Sequence, residues 1–331
     1  MPKALAALVA ALLVLSGAAS ASADDGDFRL QDPRITESSG LAASRQHPGI
    51  YWTHNDSDDG PYVYAVDSST GKTVATITLK GVGEPRDVEA ISLGPGNQLY
   101  VGDIGDNLKG GWDHVWIYRF PEPKVLRDAT VRAVQYNVRY EDGARDAEAL
   151  MIHPKSGRAY IASKIEGGGA LYEGPAKLKP TGMNVFRKVA PIDLWVTDGA
   201  FSPGGGHLAL RSYLGGRMYM WKGGRPAEDG SLRVPLQRQG ESMTYTTDGR
   251  ALMYGSEGAG SDVERVAVDR DEQDAGASDS GKGSSGGSAT GGAGGGFAGS
   301  DDGERNLFLG VLVFAGATAA VTLLRRVFRR R

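Results

Sequence analysis

One stretch of this chain returns five times, and a repeat limits the fold more than any single motif does. "EAISLGPGNQLYVGD" from Glu89 recurs as "EALMIHPKSGRAYIAS" from Glu148, "DGAFSPGGGHLALRS" from Asp198 and "ESMTYTTDGRALMYGS" from Glu241. A looser copy, "SGLAASRQHPGIYWTH", starts at Ser39. Each copy reads as an oxygen-bearing residue, a small residue, a short apolar strand, a turn with Gly or Pro, and a second apolar strand. Those turn residues and strand lengths predict a β-hairpin.

The starts lie 50, 59, 50 and 43 residues apart, near the length of a four-stranded propeller blade. Further strands follow several hairpins: "YVYAVD" and "TVATITL" in the first copy, "HVWIYRF" and "VRAVQYNVRY" in the second, "ALYEG" in the third, "RMYMW" in the fourth. The fifth ends at "VERVAVD" without an outermost strand, and "DFRLQDPRIT", ahead of the first copy, is positioned to supply it. The expected fold is all-β, a five-bladed β-propeller within residues 24–269. A six-bladed ring is the alternative if the longest spacing hides a degenerate blade, and a β-sandwich is the competing architecture. Radial repetition leaves only short, protected edges.

The ends carry separate instructions. Residues 1–23 read as an export signal, with Lys3, an apolar run and Ala-Ser-Ala before the cut. Residues 270–306 are rich in Gly, Ser and Asp, cannot offset their ordering entropy by burial, and would span roughly 30 Å as a flexible stalk. Residues 307–324 contain no charge and are just long enough to cross a bilayer core of about 30 Å. The basic tail, 325–331, stays cytoplasmic by the positive-inside rule, so the body faces outward. The partners expected are the cytoplasmic membrane, through that helix, and an unknown extracellular ligand or protein. The chain has no cysteine, so stability must come from its core, and about 245 residues suffice for one. A net charge of −3, mixed along the chain, gives no footprint for nucleic acid.

In a propeller the first strand of every blade lines the central channel, so equivalent positions form a ring. Ser39, Glu89, Glu148, Asp198 and Glu241 would place four carboxylates and a hydroxyl there. At about 5 Å and an effective dielectric near 20, each like-charge pair repels by roughly 3 kcal/mol. A cation, basic neighbours or protonation must offset them. Oxygen-only ligands favour calcium over magnesium; inter-blade salt bridges with Arg86 and Arg145 are the plainer alternative. A second tier, past the second strands, holds His54, Asn55, Asp56, Asp103, Asp106, Asn107, Lys164, Arg211 and Glu257, in loops that form the funnel of a propeller. No Gly-x-Ser-x-Gly elbow, His-Glu-x-x-His or Walker loop occurs.

"ESSGLAASRQHPGIYWTHNDSDDG", "DVEAISLGPGNQLYVGDIGDN" and "DAEALMIHPKSGRAYIASK" resemble exported, membrane-anchored bacterial propellers of the WD40-like or esterase-like phytase type. The ring pattern is similar to that of calcium-activated nucleotidases (apyrases), five-bladed propellers with serine or glutamate from each blade around a central calcium. That resemblance implies Ser39, Glu89, Glu148 and Glu241 as ligands; Asp198 departs from the expected serine, with Thr197 beside it. Two functions follow as expectations. One is a surface-displayed binding or scaffolding propeller with a structural calcium. The other is a calcium-dependent phosphohydrolase or esterase, with Asp103 or Glu257 as base and Lys164 or Arg211 on the anion.

Overall fold

The structure, a computed structural model, describes residues 25–57, 59–107 and 110–268. The expected signal, stalk, membrane span and tail lie outside them. The described residues form 21 strands and no helix. A two-residue strand, β1 (Phe28–Arg29), leads into five antiparallel meanders. Unit one holds β2 (Ser38–Ala43), β3 (Ile50–Asn55), β4 (Tyr62–Asp67) and β5 (Lys72–Lys80). Unit two holds β6 (Val88–Gly94), β7 (Gln98–Asp103), β8 (Val115–Pro121), then β9 (Ala129–Arg132) and β10 (Val134–Tyr140). Unit three holds β11 (Ala147–Ile152), β12 (Ala159–Ser163), β13 (Gly169–Glu173) and β14 (Met183–Ile192). Unit four holds β15 (Asp198–Phe201), β16 (His207–Arg211), β17 (Gly216–Lys222) and β18 (Arg225–Leu232). Unit five holds β19 (Ser242–Tyr245), β20 (Ala251–Gly255) and β21 (Asp262–Ala267).

The first hairpin of each unit follows from its turn. Between β6 and β7, Gly96 and Asn97 take left-handed φ values of 66° and 51°, which glycine adopts freely and asparagine tolerates. The chain therefore reverses within three residues, and Gly94 pairs with Gln98.

Side-chain alternation then decides the packing, because successive residues of a strand face opposite sides. In unit one, Ala42, Trp52, Ala65 and Ile77 pack with Ile91, Leu99, Val101 and Tyr118 of unit two. Their neighbours Leu41, Tyr51, Tyr64 and Val66 pack with Phe28, Leu30, Ile35, Met253 and Val263, at the junction with unit five. Similar cores join units two and three, three and four, and four and five. Both faces of each sheet are thus buried, which is why the inner strands read as almost unbroken apolar runs. The inner strands meet in cyclic order, β2 to β6 to β11 to β15 to β19 and back to β2. The result is an all-β, propeller-like body.

Two features of the rim matter later. The segment ahead of the first repeat does pair with the last sheet, through Phe28 with Val263 and Arg29 with Asp262, but only those two residues enter the ladder. The stretch expected as one strand, "VRAVQYNVRY", divides at Ala133. Its first part, in β9, runs parallel to β5 of unit one; its second, β10, pairs with β8 and runs parallel to β14 of unit three.

Candidate functional site

A local irregularity creates the site. The β2–β3, β6–β7 and β11–β12 ladders each shift register by one residue, between Ser38 and Gly40, Val88 and Ala90, and Ala147 and Ala149. The extra residues are Ser39, Glu89 and Glu148. A bulge of this kind breaks the alternation and re-aims a side chain, so these three leave the inter-unit cores. Ser39 Oγ donates to Glu89 Oε2 at 2.9 Å. Glu148 Oε1 accepts from Lys164 Nζ at 2.6 Å, and the same ammonium stands 4.0 Å from Glu241 Oε2. Glu241 Oε1 accepts from the Tyr213 hydroxyl at 2.6 Å. Four of the five expected ring positions therefore converge.

Asp198 does not join them. It pairs in register with Arg211, and its two oxygens accept backbone amides, Gly199 N at 2.7 Å and Met243 N at 2.6 Å. It acts as a staple between units four and five. Arg211 is fully buried. Its guanidinium bonds Ser242 O at 2.9 Å, Gly255 O at 3.1 Å and the Gln237 side chain. It braces the same junction rather than facing a ligand.

The second tier divides in the same way. Asp103 accepts from Arg86 N and Asp87 N at 3.0 Å each and from the Tyr118 hydroxyl at 2.6 Å, so it fixes the end of β7. Asp106 holds the loop beyond, accepting Gly111 N and Trp112 N. Asn55 accepts Thr36 N and Glu37 N. His54 Nδ1 lies 3.2 Å from Asn55 O, while burial holds its pKa down to about 4. Glu257 accepts from Gln239 Nε2. Asn107 approaches Asp87 Oδ2 at 3.3 Å through its amide and side chain.

What remains is a carboxylate trio. Asp56, Asp87 and Glu89 offer oxygens that all lie within 4.8 Å of one another. Asp56 Oδ1 is buried without a hydrogen-bond partner, as is Glu148 Oε2. Gly105 closes over the trio: a Cβ there would stand 2.6 Å from Glu89 Oε1 and 2.8 Å from Asp87 Oδ2. Burial first, and then neighbouring carboxylates, raise the pKa values of Asp56, Glu89, Glu148 and Glu257 well above the ordinary carboxylate range. The charges that act most strongly on Asp56 are all negative: Asp87, Glu257, Glu148 and Glu37. Burial works against the Lys164 charge, yet Glu148 and Glu241 overcome it and lift that pKa well above the usual value. Chemically, the trio suits a hard cation, with carboxylate oxygens on one side and space where a Cβ would intrude.

Sequence reasoning left out Asp87 as a site residue, and also Glu37, Asp146 and Tyr213. A signal for three of these exists. Glu37, Asp87 and Asp146 each stand two positions before Ser39, Glu89 and Glu148, a repeated acid within the repeat.

No family model matches this chain, and no curated protein matches it. Two solved structures show a distant likeness to it. Aldose sugar dehydrogenase from Streptomyces coelicolor, in its PQQ-bound form, is 12% identical with a TM-score of 0.44, covering 74% of this chain and 99% of the other. A candidate 6-phosphogluconolactonase from Bacteroides uniformis is 12% identical with a TM-score of 0.39, covering 70% and 68%.

Proposed function

We propose that this chain is an exported five-bladed β-propeller, carried on a stalk and anchored in the cytoplasmic membrane, that binds its ligand at the channel mouth around a calcium ion. The blade count is supported by five meanders, a junction core between every neighbouring pair, and the return of β1 to the last sheet. The cation reading rests on one observation: the Asp56, Asp87 and Glu89 trio contains a buried carboxylate oxygen, Asp56 Oδ1, with no hydrogen-bond partner. Carboxylates this close destabilise the fold unless a positive charge or a shared proton stands among them. Hard oxygen donors favour calcium, in keeping with the resemblance of the ring to calcium-dependent propellers. Glu148 and Glu241 belong to the same ring but already have Lys164 as their counter-ion.

The test is thermal unfolding of the full chain with added calcium or with chelator. Calcium at about a hundred times its Kd stabilises by about 2.7 kcal/mol, a rise of about 5–11 °C for a body of this size. Asp56→Asn and Glu89→Gln should each weaken that response, and together abolish it. Without a cation the same substitutions would relieve repulsion and raise the midpoint in any buffer. Stabilised variants that ignore calcium would overturn the reading.

A further inference from the structure

The mouth is not acidic all round. On the side of units three and four, the loop after β12 exposes Ile165, at 40%, and the turn after β16 exposes Leu214, at 37%. Trp195, half-buried, packs edge-on against Tyr213 with ring centroids 5.2 Å apart. Tyr213 joins this patch to the acidic well: its ring lies 5.6 Å from Lys164 Nζ, and its hydroxyl bonds Glu241. A metal ion has no use for Ile165 and Leu214, and exposed apolar side chains beside a charged well mark a surface for a partner.

The charge in the well identifies the partner's chemistry. Asp56, Asp87 and Glu89 bring their oxygens within 4.8 Å of one another, Glu148 and Glu241 flank the Lys164 ammonium at 2.6 and 4.0 Å, and Glu257 stands among the same acids. One divalent ion would still leave the acids in excess. Glu148, 1% exposed, keeps one oxygen without a hydrogen-bond partner, and Asp56 and Glu257 stand partly open at the mouth. We infer that the mouth docks a polypeptide segment presenting a lysine or arginine next to an apolar side chain. The cation enters the acidic well, as charge-assisted hydrogen bonding favours, and the apolar neighbour covers Leu214 and the half-buried Trp195. An anionic lipid surface would be repelled by the same acids. This rests on the mouth being the ligand face, as proposed above, and adds the class of ligand.

The full chain, held by a C-terminal tag in detergent micelles, would be panned against a random dodecapeptide library displayed on phage, with calcium and with chelator. The expected enrichment is of peptides with Lys or Arg beside Leu, Ile or an aromatic residue. Replacing the basic residue of an enriched peptide by norleucine, or its apolar neighbour by serine, should weaken binding about tenfold or more. Leu214→Asp and Glu257→Gln should weaken it similarly. Val125→Asp should not, since Val125 is 65% exposed in the loop at the other end of the body, where Gln46 and His47 bond Pro123 O. Enrichment of acidic or purely apolar peptides, no shared motif, or basic peptides indifferent to both mouth variants would overturn the docking site. The thermal response to calcium, measured on the same samples, separates the two ideas. A calcium response without basic peptides removes the docking site and leaves the cation; basic peptides without a calcium response do the reverse.

Discussion

Replacing Lys164 by methionine removes the ammonium that faces Glu148 and Glu241 at 2.6 and 4.0 Å, in a site where these side chains are 15%, 2% and 4% exposed. Methionine keeps an unbranched stem of similar bulk, so lost packing contributes little. Breaking one side of a buried ion pair costs about 3–5 kcal/mol, because the partner is left charged and unsolvated. In a body of this size that lowers the unfolding midpoint by about 6–20 °C. The pH dependence has a definite sign. Burial and neighbouring acids raise the folded-state pKa of Glu148 above its unfolded value, so the folded state holds more protons and stability falls as pH rises through that window. Lys164 itself has a raised pKa and stays charged throughout, so its own titration adds no slope there. Without it, the Glu148 pKa climbs further and the slope steepens. Thermal unfolding of Lys164→Met beside the parent protein should therefore show a small deficit at about pH 5 and the full deficit at about pH 8. An equal deficit at both, a larger one in acid, or a midpoint unchanged at the higher pH would refute the ion pair as the ring's counter-charge.

Gly105→Ala should destabilise the protein and blunt its calcium response, since the new Cβ would lie 2.6 Å from Glu89 Oε1. Gly204→Ala, with nothing within 4 Å of its Cβ, should match the parent in both thermal assays. Deleting residues 25–30 removes Phe28 and Leu30, 8% and 1% exposed; at about 1.5–3 kcal/mol for each buried side chain, chemical denaturation should show a loss of about 3–6 kcal/mol. Protease added to intact cells should cut within 270–306 and release a folded body, detected by immunoblot of the medium, whereas a body protected until lysis would reverse the proposed orientation.

The sequence announces the inner strands of this body and is weakest on the outermost strands of units three and four, β14 and β18. Strands such as β12 and β16 are buried along their whole length, so their central residues are apolar on both faces and the repeat stands out. β18 is mostly exposed, and its sequence, "RPAEDGSL", therefore carries no apolar period from which a strand could be read. The same logic governs the site. Glu89 and Glu148 are legible because they open a repeat. Asp198 occupies the same place in its repeat but, lacking the register shift, pairs with Arg211 and turns to the backbone; nothing in its own identity announces that. Asp87 carries the signal of an acid repeated two positions before the ring residues, whereas Tyr213 depends on which loops the closed ring brings together, and that is a tertiary fact.

The divided strand at the rim gives the body unequal mechanics. Residues 129–140 belong by main-chain hydrogen bonds to units one and two, and through β14 to unit three as well. Units one to three are thus sewn at their outer edge into a single stiff arc, where opening one sheet tears the ladder of its neighbour. Units four and five have no such stitch among the described residues; they meet each other and the arc mainly through side-chain cores, with a two-residue clasp at β1. Slow breathing should concentrate along those softer seams, and amide exchange in β15 to β21 should outpace that in β2 to β14. The seam between units three and four runs between Ile165 and Leu214, so a partner seated on both loops would also brace the joint where the ring most readily opens.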